Sequence, residues 1–183
     1  VPLAEALVAG GIMNLEVTLR TEHGLKAITL IRDQVKGANV GVGTVCNATE
    51  FDSAVDAGAN FVVSPGQSDA LFDRALLTNI PFLPGAVTAT EVMASKEAGF
   101  NVLKFFPAST SGGAAAIKAF AGPFADLQFV PTGGINLDNA GSYLSLSNVR
   151  AVGGSWLTPA DAIQNGQWEH ITQIAREASQ LGA

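Results

Sequence analysis

Asp56-Ala57-Gly58-Ala59-Asn60-Phe61-Val62 and Glu97-Ala98-Gly99-Phe100-Asn101-Val102 carry one pattern twice: a helical stretch closes on Ala-Gly and an apolar, strand-forming run starts just after it. Working outward from this phrase, seven short apolar runs recur at 13–19, 39–45, 61–64, 81–84, 102–106, 128–131 and 149–152. Their period is about 20 to 26 residues, the length of one strand-helix unit. Between the runs, Ala, Leu, Glu and Lys fall at helical spacing, as over 49–57, 88–98 and 113–120. The chain is therefore predicted to be an α/β protein with a parallel sheet, because nearly continuous apolar strands flanked by helices leave no face of the sheet for water.

Such a sheet can stay open or close into a barrel. A doubly wound open sheet would carry G-x-G-x-x-G after its first strand; here Gly41-Val42-Gly43 lacks the third glycine and lies within a strand. A (β/α)8 TIM barrel instead requires polar residues at the C-terminal ends of many different strands, and Arg20, Thr44, Ser64, Pro107, Thr132 and Ser155 stand at those places. With no linker or composition shift, residues 1–183 are expected to form one barrel domain. The barrel has an unusual start. The segment from Pro2 to Gly10 reads as the end of a helix, and a parallel unit places a strand before each helix. The expectation is that roughly 20 to 30 residues carrying the first barrel strand precede Val1 in the natural protein. Strands 13–19 and 149–152 would then flank a gap too wide for direct hydrogen bonds, roughly 10 Å.

The 183 residues are 48% hydrophobic and 14% charged, which excludes intrinsic disorder and provides for a sizeable core. No apolar run is long enough for a membrane span. A net charge of −6 with no basic cluster argues against nucleic acid as a partner, but leaves small phosphorylated molecules open, since backbone N–H groups bind phosphate without Lys or Arg. The single cysteine, Cys46, fits a reducing cytoplasm and reads as a small buried apolar residue. His23 and His170 are far apart in sequence and belong to no metal-ligand pattern, so neither a metal nor a cofactor is expected.

Three groups of residues carry chemistry. In the first run, Asn14, Glu16, Thr18 and Arg20 share one face, which makes either a solvated edge or the lining of a barrel mouth. Of the five lysines, Lys26, Lys36, Lys96 and Lys118 lie in or beside helical stretches, and Lys104 alone sits inside an apolar strand. A buried ammonium is costly unless it is paired or gives up its proton. Lys104 is thus either the partner of a carboxylate such as Glu16 or an amine nucleophile, which would call for a carbonyl substrate. Finally, Thr132-Gly133-Gly134 and Gly153-Gly154-Ser155 follow the last two runs. Paired glycines there serve tight turns, or they let backbone N–H groups approach a phosphate, with a helix start and the Ser155 hydroxyl completing the site.

In this order, Leu15-Glu16-Val17-Thr18-Leu19-Arg20-Thr21, Gly43-Thr44-Val45, Ser64-Pro65-Gly66, Lys104-Phe105-Phe106-Pro107-Ala108, Pro131-Thr132-Gly133-Gly134-Ile135 and Gly153-Gly154-Ser155-Trp156-Leu157 resemble the 2-keto-3-deoxy-6-phosphogluconate (KDPG) and 2-keto-4-hydroxyglutarate (KHG) aldolase family over nearly the whole chain. The resemblance implies a class I aldolase on a (β/α)8 barrel, a homotrimer, cleaving the phosphorylated keto acid to pyruvate and glyceraldehyde 3-phosphate, and 4-hydroxy-2-oxoglutarate to pyruvate and glyoxylate. It implies Lys104 as the Schiff-base lysine, Glu16 as general acid/base, Arg20 and Thr44 as carboxylate-binding residues, Thr132 as a substrate-binding residue, and Gly133, Gly134, Gly154 and Ser155 as substrate-binding residues on the phosphate side. Phe106, on the strand face of Lys104, either packs the pyruvyl end of the substrate or belongs to the core. Two alternatives remain: a related keto-acid aldolase for another epimer or an unphosphorylated substrate, and a non-catalytic barrel that binds a phosphorylated ligand.

Overall fold

The computed structural model describes residues 1–181 and alternates helices and strands. Its elements are α1 (Pro2–Ala9), β1 (Asn14–Thr18), α2 (Gly24–Gln34), β2 (Asn39–Gly43), α3 (Ala48–Asp56), β3 (Val62–Val63), α4 (Asp69–Thr78) and β4 (Phe82–Leu83), then α5 (Ala89–Glu97), β5 (Val102–Phe105), α6 (Gly113–Phe120), β6 (Gln128–Pro131), α7 (Leu137–Leu144), α8 (Ala160–Gln164) and α9 (Trp168–Ser179).

The strands pair in parallel and in sequence order within two ladders. β1 to β4 form one ladder, with Glu16 opposite Gly41 and Thr18 opposite Gly43. β5 pairs with β6, placing Lys104 opposite Val130. The two ladders are joined where Lys104 donates its N–H to the Pro84 carbonyl at 2.8 Å and accepts from Ala86 N–H at 2.9 Å. A doubly wound sheet breaks sequence order at its switch point; unbroken order is that of a (β/α)8 barrel.

The seventh run, 149–152, departs from the expected strand. It touches β6 through bridges at Val149 and at Gly153 only. The offset between partners grows by one residue from Phe129–Val149 to Thr132–Gly153, so the segment bulges. Pro131 has no N–H to continue the ladder, although its carbonyl still accepts from Gly153 N–H at 2.9 Å. Among the described residues no ladder hydrogen bond joins β1 to 149–153, so these seven strand positions do not close on one another.

Alternation divides the strands between two environments. Leu15, Val40, Val42, Val62 and Phe82 face outward onto Ile28, Phe51 and Leu71 of the helices. On the other half, Leu103, Phe105 and Phe129 pack on Ile117, Phe124 and Leu127. Phe105 and Phe129 meet edge to face at 6.3 Å, and Phe120 stacks on Phe129 at 5.6 Å. The residues between them in sequence, Glu16, Thr18, Lys104 and Phe106, are left to the barrel interior. No helix among the described residues is long and apolar enough to cross a membrane.

Helix starts are fixed by side-chain caps. Thr88 accepts from Glu91 N–H at 3.3 Å, while Glu91 Oε2 accepts from the N–H groups of Val87 at 2.9 Å and Thr88 at 2.8 Å. Burial opposes the charge on Glu91, but these hydrogen bonds outweigh it and hold the carboxyl below its ordinary range. A depressed carboxyl contributes stability that is present above the ordinary glutamate range and lost as pH falls through the folded value. Thr88→Ala is expected to cost about 1 kcal/mol in urea unfolding at neutral pH. Glu91→Gln should show a shallower loss of stability than the unmodified protein as pH falls from about 5 to about 2; equal slopes would remove Glu91 from the acid response.

Candidate active site

Lys104 leaves the middle of β5 for the barrel interior, where it is 5% exposed. Its Nζ lies 3.2 Å from Oε1 of Glu16, which crosses from β1, and 5.2 Å from the centroid of the Phe106 ring. The carboxylate partner that the sequence offered for Lys104 is present, and the pair lies on the inward face of the strands. The pair is not sealed. The Lys104 side chain is 7% exposed but that of Glu16 is 28% exposed, so the carboxylate end opens to the mouth. An ion pair buried for stability alone gains little, because desolvation offsets the attraction.

Arg20 follows β1 at the same end of the barrel and is exposed, with no ion-pair or hydrogen-bond partner among the described residues. Thr44 directly follows β2 with φ at +64°, a conformation β-branched residues rarely adopt. Such strain is held by its surroundings and concentrates at functional sites. Phe106 is half-buried and lies beside the Lys104 amine, outside both helix-facing clusters of the core.

The two glycine pairs come side by side through the bridge between Thr132 and Gly153. Gly133, at φ +95°, lies against Phe106: a Cβ there would stand 3.1 Å from the ring. Gly134, at φ +76°, is held against Ser109, whose Cβ would be 2.6 Å away. Gly154 lies beneath the Trp156 ring, and Ser155 is exposed. The N–H groups of Gly133, Gly134, Gly154 and Ser155 donate to no acceptor among the described residues. The helix start expected to complete this region is already occupied, since Asn136 Oδ1 accepts from Asp138 N–H at 3.0 Å and Asn139 N–H at 3.1 Å. After the second pair the next helix, α8, begins only at Ala160. The free donors are therefore those of the loops.

Ser109 was not legible as part of this region. Its N–H donates to the Gly133 carbonyl at 3.1 Å, tying the loop after β5 to the first glycine pair. The only local signal was a hydroxyl-rich segment, Ser109-Thr110-Ser111, after the lysine strand. Cys46 corrects another expectation: it is exposed, because the chain has left β2 for the turn into α3, where Cys46 N–H donates to Glu50 Oε2 at 2.6 Å. Desolvation of the sulfur, then the Glu50 carboxylate, push its thiol above the ordinary value. His23 and His170 are exposed, on the N-terminal side of α2 and in α9, and no cluster of three metal-ligating side chains exists among the described residues. A cleft lined by Gly166, Gln167, Trp168, Glu169 and His170 lies at the α8–α9 corner and includes none of the residues above.

Residues 1–174 match the family model for KDPG and KHG aldolase. The chain belongs to this aldolase family. It is 48% identical to the KHG/KDPG aldolase of Escherichia coli K12 over 178 residues, covering 97% of this chain and 84% of that protein. A solved KDPG aldolase from Legionella pneumophila, with pyruvate captured at low pH as a covalent carbinolamine intermediate, superposes with a TM-score of 0.95 at 45% identity, covering 98% of this chain and 87% of the other. The KDPG aldolase of Zymomonas mobilis ZM4 with 3-phosphoglycerate superposes with a TM-score of 0.91 at 44% identity, covering 98% and 84%.

Proposed function

We propose that this KDPG/KHG-family aldolase cleaves KDPG to pyruvate and glyceraldehyde 3-phosphate, and 4-hydroxy-2-oxoglutarate to pyruvate and glyoxylate, through an imine on Lys104. The observation that carries the reading is the placement of the Lys104 amine inside the barrel, 3.2 Å from the Glu16 carboxylate. A relative with pyruvate held as a covalent carbinolamine, and one with 3-phosphoglycerate, support a keto acid at one end of the site and a phosphate at the other.

In this mechanism the ammonium of Lys104 hands a proton to Glu16, and the free amine attacks the C2 ketone to give a carbinolamine. Glu16 returns that proton to the carbinolamine hydroxyl, which leaves as water and gives an iminium. Glu16, as carboxylate, takes the C4 hydroxyl proton; the C3–C4 bond breaks, the aldehyde leaves, and the bonding pair passes to the iminium nitrogen as an enamine. Glu16 returns its proton to C3, and water then releases pyruvate and the amine. Arg20 and Thr44 hold the keto-acid carboxylate, for which a planar bidentate donor is well shaped. Phe106 screens the iminium from water. Thr132 and the free N–H groups of Gly133, Gly134, Gly154 and Ser155 hold the phosphate. No step requires a metal or an organic cofactor.

The same reading makes the protein a cytoplasmic homotrimer with small-molecule partners only. Leu76, Leu77 and Met93, exposed on α4 and α5, are among the apolar side chains available to such an interface.

The test of substrate class is a steady-state comparison of KDPG and 4-hydroxy-2-oxoglutarate by pyruvate release. Gly134→Val places a side chain into the space of Ser109 and against the proposed phosphate. Its kcat/KM for KDPG is expected to fall by about 10²-fold, with a much smaller change for the unphosphorylated substrate. Equal losses on both substrates would remove the glycine pairs from phosphate binding.

A further inference from the structure

Gly41-Val42-Gly43 lacks the third glycine of a nucleotide loop. In the fold, the missing Cβ atoms of β2 have separate uses in the barrel interior. Gly41 leaves space for the Phe61 ring. At Gly43 the three nearest atoms to a built Cβ all belong to Glu16: its Cδ would be 2.6 Å away, its Cγ 2.7 Å, and Oε1 nearer still. The Glu16 side chain therefore leaves β1 and lies across the neighbouring strand at Gly43, and in that position Oε1 is 3.2 Å from the Lys104 amine.

We infer that Gly43 is a positioning residue for the aldol reaction, the seat on β2 that lets the Glu16 carboxylate reach the reacting carbon atoms. The inference rests on the reading of Glu16 as the acid/base. Gly43 has an ordinary strand conformation and pairs with Thr18, and its carbonyl accepts from Leu19 N–H at 2.9 Å. An alanine fits that backbone. The clash falls on the free end of a flexible side chain, so the fold holds and the carboxylate moves away. Misplacing a catalytic group by about 1 Å costs up to about 10²-fold in rate, a loss far out of proportion to one added methyl group.

The experiment uses pyruvate alone in D2O. Once the imine on Lys104 has formed, Glu16 removes a C3 proton to give the enamine and returns a deuteron, so exchange at C3 reads proton transfer by Glu16. Trapping with borohydride reads imine formation separately. Gly43→Ala is expected to keep its unfolding midpoint and the end-point of trapping at Lys104 after long incubation, and to slow exchange at least about tenfold. Glu16→Asp, one methylene shorter, should slow exchange in the unmodified background but speed it in the Gly43→Ala background, because it vacates the contested space. That reversal of sign is not available to a role for Gly43 in the backbone or in the Thr44 turn. Should Gly43→Ala fail to fold, the pair Gly43→Ala/Glu16→Asp must fold; failure of both overturns the proposal. Exchange by Gly43→Ala at the unmodified rate, beside a slow Glu16→Gln, sinks the proposal alone. Fast exchange by Glu16→Gln sinks the acid/base reading, and the proposal with it.

Discussion

Lys104→Arg is expected to keep the fold and the contact with Glu16, and to lose KDPG cleavage by at least about 10⁴-fold. Arginine preserves a cation opposite a carboxylate that lies 3.2 Å from the native amine, but a guanidinium does not give up its proton in proteins and cannot form the imine. The substitution therefore separates the two readings of a buried lysine. If Lys104 only neutralised Glu16, Lys104→Arg would retain most of the activity. Lys104→Met should be equally inactive and less stable, since it leaves Glu16 without its partner. Adding Glu16→Gln to Lys104→Met should restore stability without restoring activity, measured as urea midpoints beside pyruvate release.

Glu16→Gln is expected to lower kcat for KDPG by about 10² to 10⁴-fold, with a smaller change in KM, because general acid/base catalysis is worth that much and the amide can neither take the C4 hydroxyl proton nor return one to C3. Glutamine keeps the shape of the side chain and its seat at Gly43, so the loss reads chemistry and not packing. A drop in kcat/KM carried entirely by KM would instead make Glu16 a substrate-binding group.

The fold was legible where local rules govern. The Ala-Gly helix ends placed the start of the next strand, and the sixth run coincides with β6 from Gln128 to Pro131. Lys104 was conspicuous because a charge inside an apolar strand has few explanations, and strand alternation then named its possible partner. What remained hidden depends on which strands and loops meet. The bulge at 150–152 comes from a proline on the neighbouring strand, and Pro131 was readable only as part of a motif. The occupied start of α7 depends on the rotamer of Asn136. Cys46 is exposed because β2 ends at Gly43, before the apolar run does. Ser109 and Gly43 acquire their roles through contacts with Gly134 and Glu16 on other strand-helix units, and no spacing within the sequence encodes those contacts.

The central claim is a covalent bond between Lys104 and the keto acid. Incubation with pyruvate and borohydride, followed by peptide mass mapping, tests it most directly. The expected result is one reduced pyruvyl adduct on the peptide holding Lys104, with loss of KDPG cleavage in proportion to labelling and no effect of EDTA on either. An adduct on Lys26, Lys36, Lys96 or Lys118 in place of Lys104, or full activity in a protein quantitatively labelled at Lys104, would contradict it.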